Sequence, residues 1–150
     1  MDNYDKKILA ELQRDGRLSL TDLAERIGLS LSPCHRRVKA LEDAGVITDY
    51  RASIDPAAVG LKFAAIVFVT LRITDRAGVE AFESAVPDIP QIVQAQRLFG
   101  EPDFLLSVIT TDLEAFRKLY DEQLSALPNV LRLNSTLVMR NIVHNRPLPL

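Results

Sequence analysis

Residues 27–39 read Ile27-Gly28-Leu29-Ser30-Leu31-Ser32-Pro33-Cys34-His35-Arg36-Arg37-Val38-Lys39. Positions 30–39 hold three fixed cations and a histidine with no acid among them, although the 150-residue chain carries a formal net charge of −2. An apolar rhythm begins inside the same stretch. Cys34, Val38 and Leu41 recur at i, i+4 and i+7, which is helical spacing. Ser32 followed by Pro33 predicts the helix start, with Ser32 as N-cap and Pro33 at the first helical position, where a missing N–H does no harm. Ala44-Gly45 predicts its end. At 100° per residue, Arg36 and Lys39 fall opposite the apolar stripe, His35 lies on a flank and Arg37 at the stripe's edge. The first two turns thus carry a cationic outer face, where the helix dipole and free N–H groups also favour phosphate.

Two helical stretches precede this one. From Asp2 to Arg14, Tyr4, Ile8 and Leu12 form a stripe, with Asp2 and Asp5 placed to cap it and Asp15-Gly16 to end it. Ser19 with Asp22 opens the second, whose Leu20, Leu23, Ala24 and Ile27 form one side, and Gly28 closes it. A charge run alone is more often a solvated face than a binding surface. A short partner helix joined by the tight turn 27–30 changes the reading to a helix-turn-helix. The expected DNA contacts are Arg36, Arg37 and Lys39 to phosphates and guanines, and Ser30, Ser32 and His35 to phosphates or base edges, with Pro33 setting the helix start.

Composition sets the frame. A hydrophobic fraction of 47% and a charged fraction of 25% suit a folded, water-exposed chain. The longest apolar run, Phe63–Leu71, is too short to span a membrane, and the N-terminus has no signal-type apolar core. Nine acidic residues oppose eight basic ones in 1–50, and eleven oppose ten in 51–150, so any nucleic-acid affinity must come from a local face. One cysteine excludes an internal disulfide framework and fits a reducing compartment. Cys34 reads as a small core residue, with a thiol sensor as the alternative. His35 and His144 are the only histidines, and no metal-ligand spacing or paired nucleophile and base is present. No cofactor is called for.

The segment from Val46 to Ile54 is β-like and is expected to form a wing or linking strand, and Asp55-Pro56 and Gly60 break it. The expected division is a DNA-binding domain over 1–54, a linker over 55–61 and a second domain over 62–150. An internal repeat organises the last of these. Ser84-Ala-Val-Pro-Asp-Ile89 returns as Ser125-Ala-Leu-Pro-Asn-Val130, 41 residues on, and Ile73-Thr74-Asp75 returns as Thr110-Thr111-Asp112, 37 residues on. The difference is about one helical turn, so the second helix, over 113–127, should be the longer. Two strand–helix–strand units in tandem predict an α+β, ferredoxin-like βαββαβ domain with both helices on one side of a four-stranded antiparallel sheet. Phe63–Leu71 is apolar at both parities, so the other face of that sheet should also be covered. A second copy of the chain or a bound apolar ligand could cover it.

The chain resembles the Lrp/AsnC family of prokaryotic transcriptional regulators over essentially its full length. The resemblance rests on Leu23-Ala24-x-x-Ile27-Gly28-Leu29-Ser30, on Ser32-Pro33-Cys34, and on Arg36-Arg37-Val38-x-x-Leu41-Glu42-x-x-Gly45-Val46-Ile47. In the second half it rests on Gly100-x-x-Asp103-Phe104-Leu105-Leu106, Leu127-Pro128-x-Val130 and Ser135-Thr136. It implies a winged helix-turn-helix followed by a RAM domain, named for the regulation of amino-acid metabolism. It also implies a cytoplasmic, nucleoid-associated regulator that binds double-stranded DNA as dimers assembled into octamers or similar discs. The effector it implies is an amino acid held between dimers by Phe99, Gly100, Glu101, Pro102 and Asp103, with Asn134, Ser135 and Thr136 nearby. In chemical terms Asp103 could hold an ammonium group or cap its own loop. Relatives often carry an aromatic residue where Pro102 stands. The alternatives to a DNA-binding regulator are a scaffolding module whose helix-turn-helix contacts protein and, with little in the residues to support it, an enzyme on a ferredoxin-like fold.

Overall fold

The computed structural model describes residues 1–150 and divides into two compact units, Met1–Ser53 with Ile142–Leu150, and Ile54–Asn141.

In the first unit, Asp2 sets the opening helix. Its carboxylate accepts from the N–H groups of Tyr4 and Asp5 at 2.9 and 3.0 Å, while Asp5 accepts from the Asp2 N–H at 3.0 Å. This reciprocal box starts α1 (Asn3–Arg14). Ser19 accepts from the Asp22 N–H at 3.1 Å to start α2 (Leu20–Ile27), and Gly28 ends it at φ 74°, a left-handed conformation that disfavours a β-carbon. The third helix, α3, spans Leu31–Asp43. Its N-cap is Ser30, two residues before the expected Ser32, so Pro33 is the third helical residue rather than the first. The tight 28–30 turn delivers the chain already helical at Leu31. The first bond of the helix runs from the Cys34 N–H to the Ser30 carbonyl, so Pro33 costs none. Ile8, Leu23, Ala24, Ile27, Cys34, Val38 and Leu41 close the core, as their spacing predicts.

One expectation for this unit changes. No strand forms over 46–54. The N–H groups of Val46 and Ile47 bond to the Leu41 carbonyl at 2.9 and 3.1 Å, and beyond them the chain runs on without a ladder partner, because the unit holds no second strand. Residues 142–150, assigned by sequence to the second domain, cluster in space with the first compact unit.

In the second unit the repeat is visible atom by atom. Asp75 accepts from the Gly78 N–H and Asp112 from the Ala115 N–H, each at 2.8 Å, opening α4 (Arg76–Ala85) and α5 (Leu113–Leu119). The second helix does not run unbroken to Leu127. After Leu119 it widens into a π-helical turn over Tyr120–Leu124, which takes up extra chain and sets Leu124 fully in the core. Strands β1 (Phe63–Leu71), β2 (Ile92–Arg97), β3 (Phe104–Thr110) and β4 (Val130–Leu137) pair antiparallel in the order β2-β3-β1-β4, the interleaving of a ferredoxin-like domain. The expected linker region carries a 3₁₀ turn, Ala57–Val59, and just before it Asp55 accepts from the Ala57 N–H at 3.1 Å.

Alternation divides the sheet into two faces. Val67, Val69, Leu106 and Val108 are buried beneath the helices, and Phe82 of α4 packs on Phe104 with ring centroids 4.6 Å apart. The opposite face carries Ala64, Ile66, Phe68, Leu105 and Ile109, each half-buried. Register places Phe68 between Leu105 and Asn134, and Ile66 between Ser107 and Thr136.

Gly78 has a packing reason. A β-carbon there would stand 2.6 Å from Asn129 Nδ2 and 2.7 Å from the Ile73 carbonyl. Those two atoms are already bonded to each other at 2.7 Å, and the Ile73 N–H donates to Asn129 Oδ1 at 3.1 Å. Gly78→Ala gains about 1 kcal/mol of helix propensity but overpacks this clamp, at about 1–3 kcal/mol. The clamp is backbone-anchored and has little room to give, so thermal melting of the variant should show a lower Tm than wild type. A higher Tm would mean that the clamp yields.

Candidate nucleic-acid interface and effector recesses

The outer surface of α3 is built by the core beneath it. With Cys34, Val38 and Leu41 buried, helical geometry leaves Ser32, His35, Arg36 and Lys39 exposed. The Lys39 side chain is 63% exposed and approaches only Asp43, at 3.6 Å. Ser30 makes no side-chain capping bond, so its hydroxyl stays available, and Pro33 is half-buried. These groups surround the first turn, whose N–H groups point the same way.

Arg37 does not join that surface. Its Nη1 lies 2.8 Å from Asp5 and 2.9 Å from Asp2, and its guanidinium stacks 5.5 Å from the Tyr4 ring centroid. Hydrogen bonds that it donates to Asp5 and then to Asp2 hold the guanidinium more firmly protonated than usual. The Asp2 carboxyl lies below its ordinary range, first because the Asp5 N–H donates to it and further because Arg37 does. Arg37 therefore ties α3 to the start of α1. Cys34 is fully buried, and burial pushes its thiol pKa up, which opposes thiolate chemistry.

Seven of the eight expected effector residues line three recesses in the second unit, and Thr136 lines none of the three. Glu101, Pro102 and Asn134 line a recess of about 640 Å³ together with Phe68, Thr70 and Arg132. Phe99, Gly100 and Asp103 line another, of about 420 Å³, with Arg97 and Thr74. Ser135 lies in a third, beside Phe116 and Tyr120, which Asn134 also borders. Strand alternation explains the split: Asn134 and Thr136 pair with Phe68 and Ile66 on the open face, whereas Ser135 pairs with Val67 on the helix face.

Residues 1–48 match the winged helix-turn-helix DNA-binding family, and residues 64–148 match the Lrp/AsnC ligand-binding domain. The chain is 39% identical to the leucine-responsive regulatory protein of Rhizobium meliloti, in an alignment covering 95% of this chain and 91% of that protein. It is 38% identical to the proline dehydrogenase transcriptional activator of Rhodobacter capsulatus, covering 95% and 93%. A transcriptional regulator of Neisseria meningitidis, solved in complex with L-Met, superposes with a TM-score of 0.93 at 38% identity, covering 99% and 96%. The chain belongs to the Lrp/AsnC family.

This Lrp/AsnC protein is accordingly a DNA-binding transcriptional regulator with the family's ligand-binding domain. No helix is long and apolar enough to cross a membrane. Its Asp103 serves the sheet. One carboxylate oxygen accepts from the Leu71 N–H at 2.7 Å, the Asp103 N–H donates to the Val69 carbonyl at 2.9 Å, and its carbonyl accepts from the Leu98 N–H at 2.8 Å. Asp103→Ala leaves the Leu71 N–H without that partner, at a cost of about 1–3 kcal/mol. The variant should unfold at lower urea concentration with an unchanged slope. An unchanged midpoint would show that the bond contributes nothing net. Sequence reasoning missed Arg132 and Arg97, cations that stand beside the loop residues. Arg132 lies two positions from Asn134, so alternation along β4 was the signal that could have found it.

Proposed function

We propose that this Lrp/AsnC regulator acts in the cytoplasm as a twofold dimer, joined through the open faces of its sheets and assembled further into a disc such as an octamer. It presents two copies of α3 to successive major grooves. Arg36 and Lys39 contact phosphates and guanines, and Ser30, Ser32 and His35 complete the contacts near the helix start. The observation that carries this is the division of the basic cluster. Arg37 is held by two carboxylates, while Arg36 and Lys39 remain on the exposed surface.

The effector is a free amino acid, as the L-Met complex of the Neisseria relative suggests. The recess of Glu101 and Arg132 offers an anion for an α-ammonium and a cation for an α-carboxylate, with Phe68 as an apolar floor. Asp103 supports the loop from behind. Footprinting the DNA upstream of the protein's own gene with each of the 20 amino acids in turn tests both parts. Protection of a defined stretch, altered in extent or affinity by one or a few amino acids, is expected. Protection that none of them changes would contradict the amino-acid effector, and no protection at any concentration would contradict the operator reading.

A further inference from the structure

Residues 146–150 read Arg-Pro-Leu-Pro-Leu. Pro147 and Pro149 have no N–H and fix φ, so this end resists helix formation, and Leu148 supplies the one N–H between them. That group is engaged. The Leu148 N–H donates to Gln13 Oε1 at 2.6 Å, and Gln13 Nε2 donates to the Leu148 carbonyl at 3.4 Å. A single primary amide thus pairs with both backbone groups of one tail residue, as a neighbouring strand does. Around it lies a cleft of about 300 Å³ within the DNA-binding unit, lined by Leu9 and Leu12 from α1, by Ile47 and Tyr50 from the segment after α3, and by Leu148 and Leu150 of the tail. Tyr50 is anchored there. Its hydroxyl donates to Glu42 at 2.9 Å, and burial together with that bond pushes its pKa up to about 12. The chain passes between its two compact units twice, at 53–54 and again at 141–142.

We propose that residues 142–150 are a strap. Docked on α1 through the Gln13–Leu148 pair, they give the DNA-binding unit a second tether and narrow the orientations it can adopt, so that the two α3 helices of a dimer are held to one half-site spacing. The inference rests on the DNA-binding dimer proposed above. A unit held by one segment must lose orientational freedom on each half-site it meets, whereas a second tether removes part of that freedom beforehand. The two prolines serve the same end, because a tail already restricted in the undocked state loses less entropy on docking.

The test compares the full-length protein with a chain ending at Asn141 and with full-length Gln13→Ala, whose substitution lies outside the buried core. Hydrogen exchange without DNA is the first arm. Both variants should exchange about tenfold faster over α1 and residues 46–50, with the sheet unchanged. The second arm uses a duplex selected from a random-sequence pool by the full-length protein, and a version with its half-sites moved apart by about half a helical turn, roughly 5 base pairs. The full-length protein should discriminate strongly between the two. Both variants should bind the selected duplex about three- to tenfold more weakly and lose most of that discrimination. Unchanged exchange would show that the tail is not docked. Faster exchange with unchanged discrimination would show that the docked tail tethers nothing. Either result overturns the strap. Failure of the full-length protein to select any duplex would overturn the DNA reading and the spacing part of the proposal with it, while the exchange arm still decides the docking.

Discussion

Replacing Arg36 and Lys39 together by alanine should lower DNA affinity by about a hundredfold or more near physiological salt, and should flatten its salt dependence. Each cation on a phosphate contributes about 0.9 to the slope of log K against log salt, so two per protomer in a dimer amount to about 3.6. The phosphate part of the loss should be the same on specific and unrelated duplexes, because phosphates carry no sequence, while each guanine contact adds a loss confined to the specific duplex. Arg37→Ala should behave differently although it is the adjacent cation. Its guanidinium is held by Asp2 and Asp5 and stacks on Tyr4. Its loss should therefore lower the melting temperature and leave the salt slope near that of wild type. Binding isotherms at four or five salt concentrations, with a melting curve for each variant, separate the two. Equal slopes for all three proteins would remove the phosphate role from Arg36 and Lys39.

A comparably large effect is expected on the open face of the sheet. Phe68→Glu with Leu105→Glu places carboxylates on directly opposed residues at the centre of that face. In a sheet-to-sheet dimer this sets four like charges in an apolar contact, where each would have to be buried unpaired. The variant should sediment as a monomer. It should also lose about two orders of magnitude in DNA affinity, because one recognition helix must then bind without the other. The far side of the sheet, with Phe82 on Phe104, is untouched, so the fold should survive, which a far-UV spectrum checks. A variant that sediments like wild type would place the self-association surface elsewhere.

The residues that made the fold legible are those whose role is local. Asp2, Ser19, Asp75 and Asp112 announce helix starts because a capping carboxylate or hydroxyl acts within three residues of itself. The repeat was legible because Asp75 and Asp112 meet the same need in both halves. What the sequence hid depends on partners far along the chain. Arg37 sits among cations in sequence, and only the packing of α1 on α3 brings Asp2 and Asp5 to it. The expected strand over 46–54 has suitable side chains but no neighbour in its unit. Asp103 reads equally as a ligand carboxylate or as a cap for its own loop, and its carboxylate instead bonds to the Leu71 N–H, 32 positions away. Ser135 stands with Asn134 and Thr136 in the family resemblance, and alternation along β4 pairs it with Val67 on the helix side of the sheet, while its neighbours pair with Phe68 and Ile66 on the open side.

The most direct measurement places a cleavage reagent on α3 itself. Ala40 is exposed on the Arg36 side of the helix, while Cys34 is fully buried, so Ala40→Cys offers a single reactive thiol for an iron chelate. Bound to its selected duplex, the labelled dimer should cut the DNA at two places separated by one helical turn, about 34–36 Å, or a multiple of it, with the strand offset of the major groove. Full occupancy of the duplex without cleavage near either half-site would show that the outer face of α3 does not enter the groove.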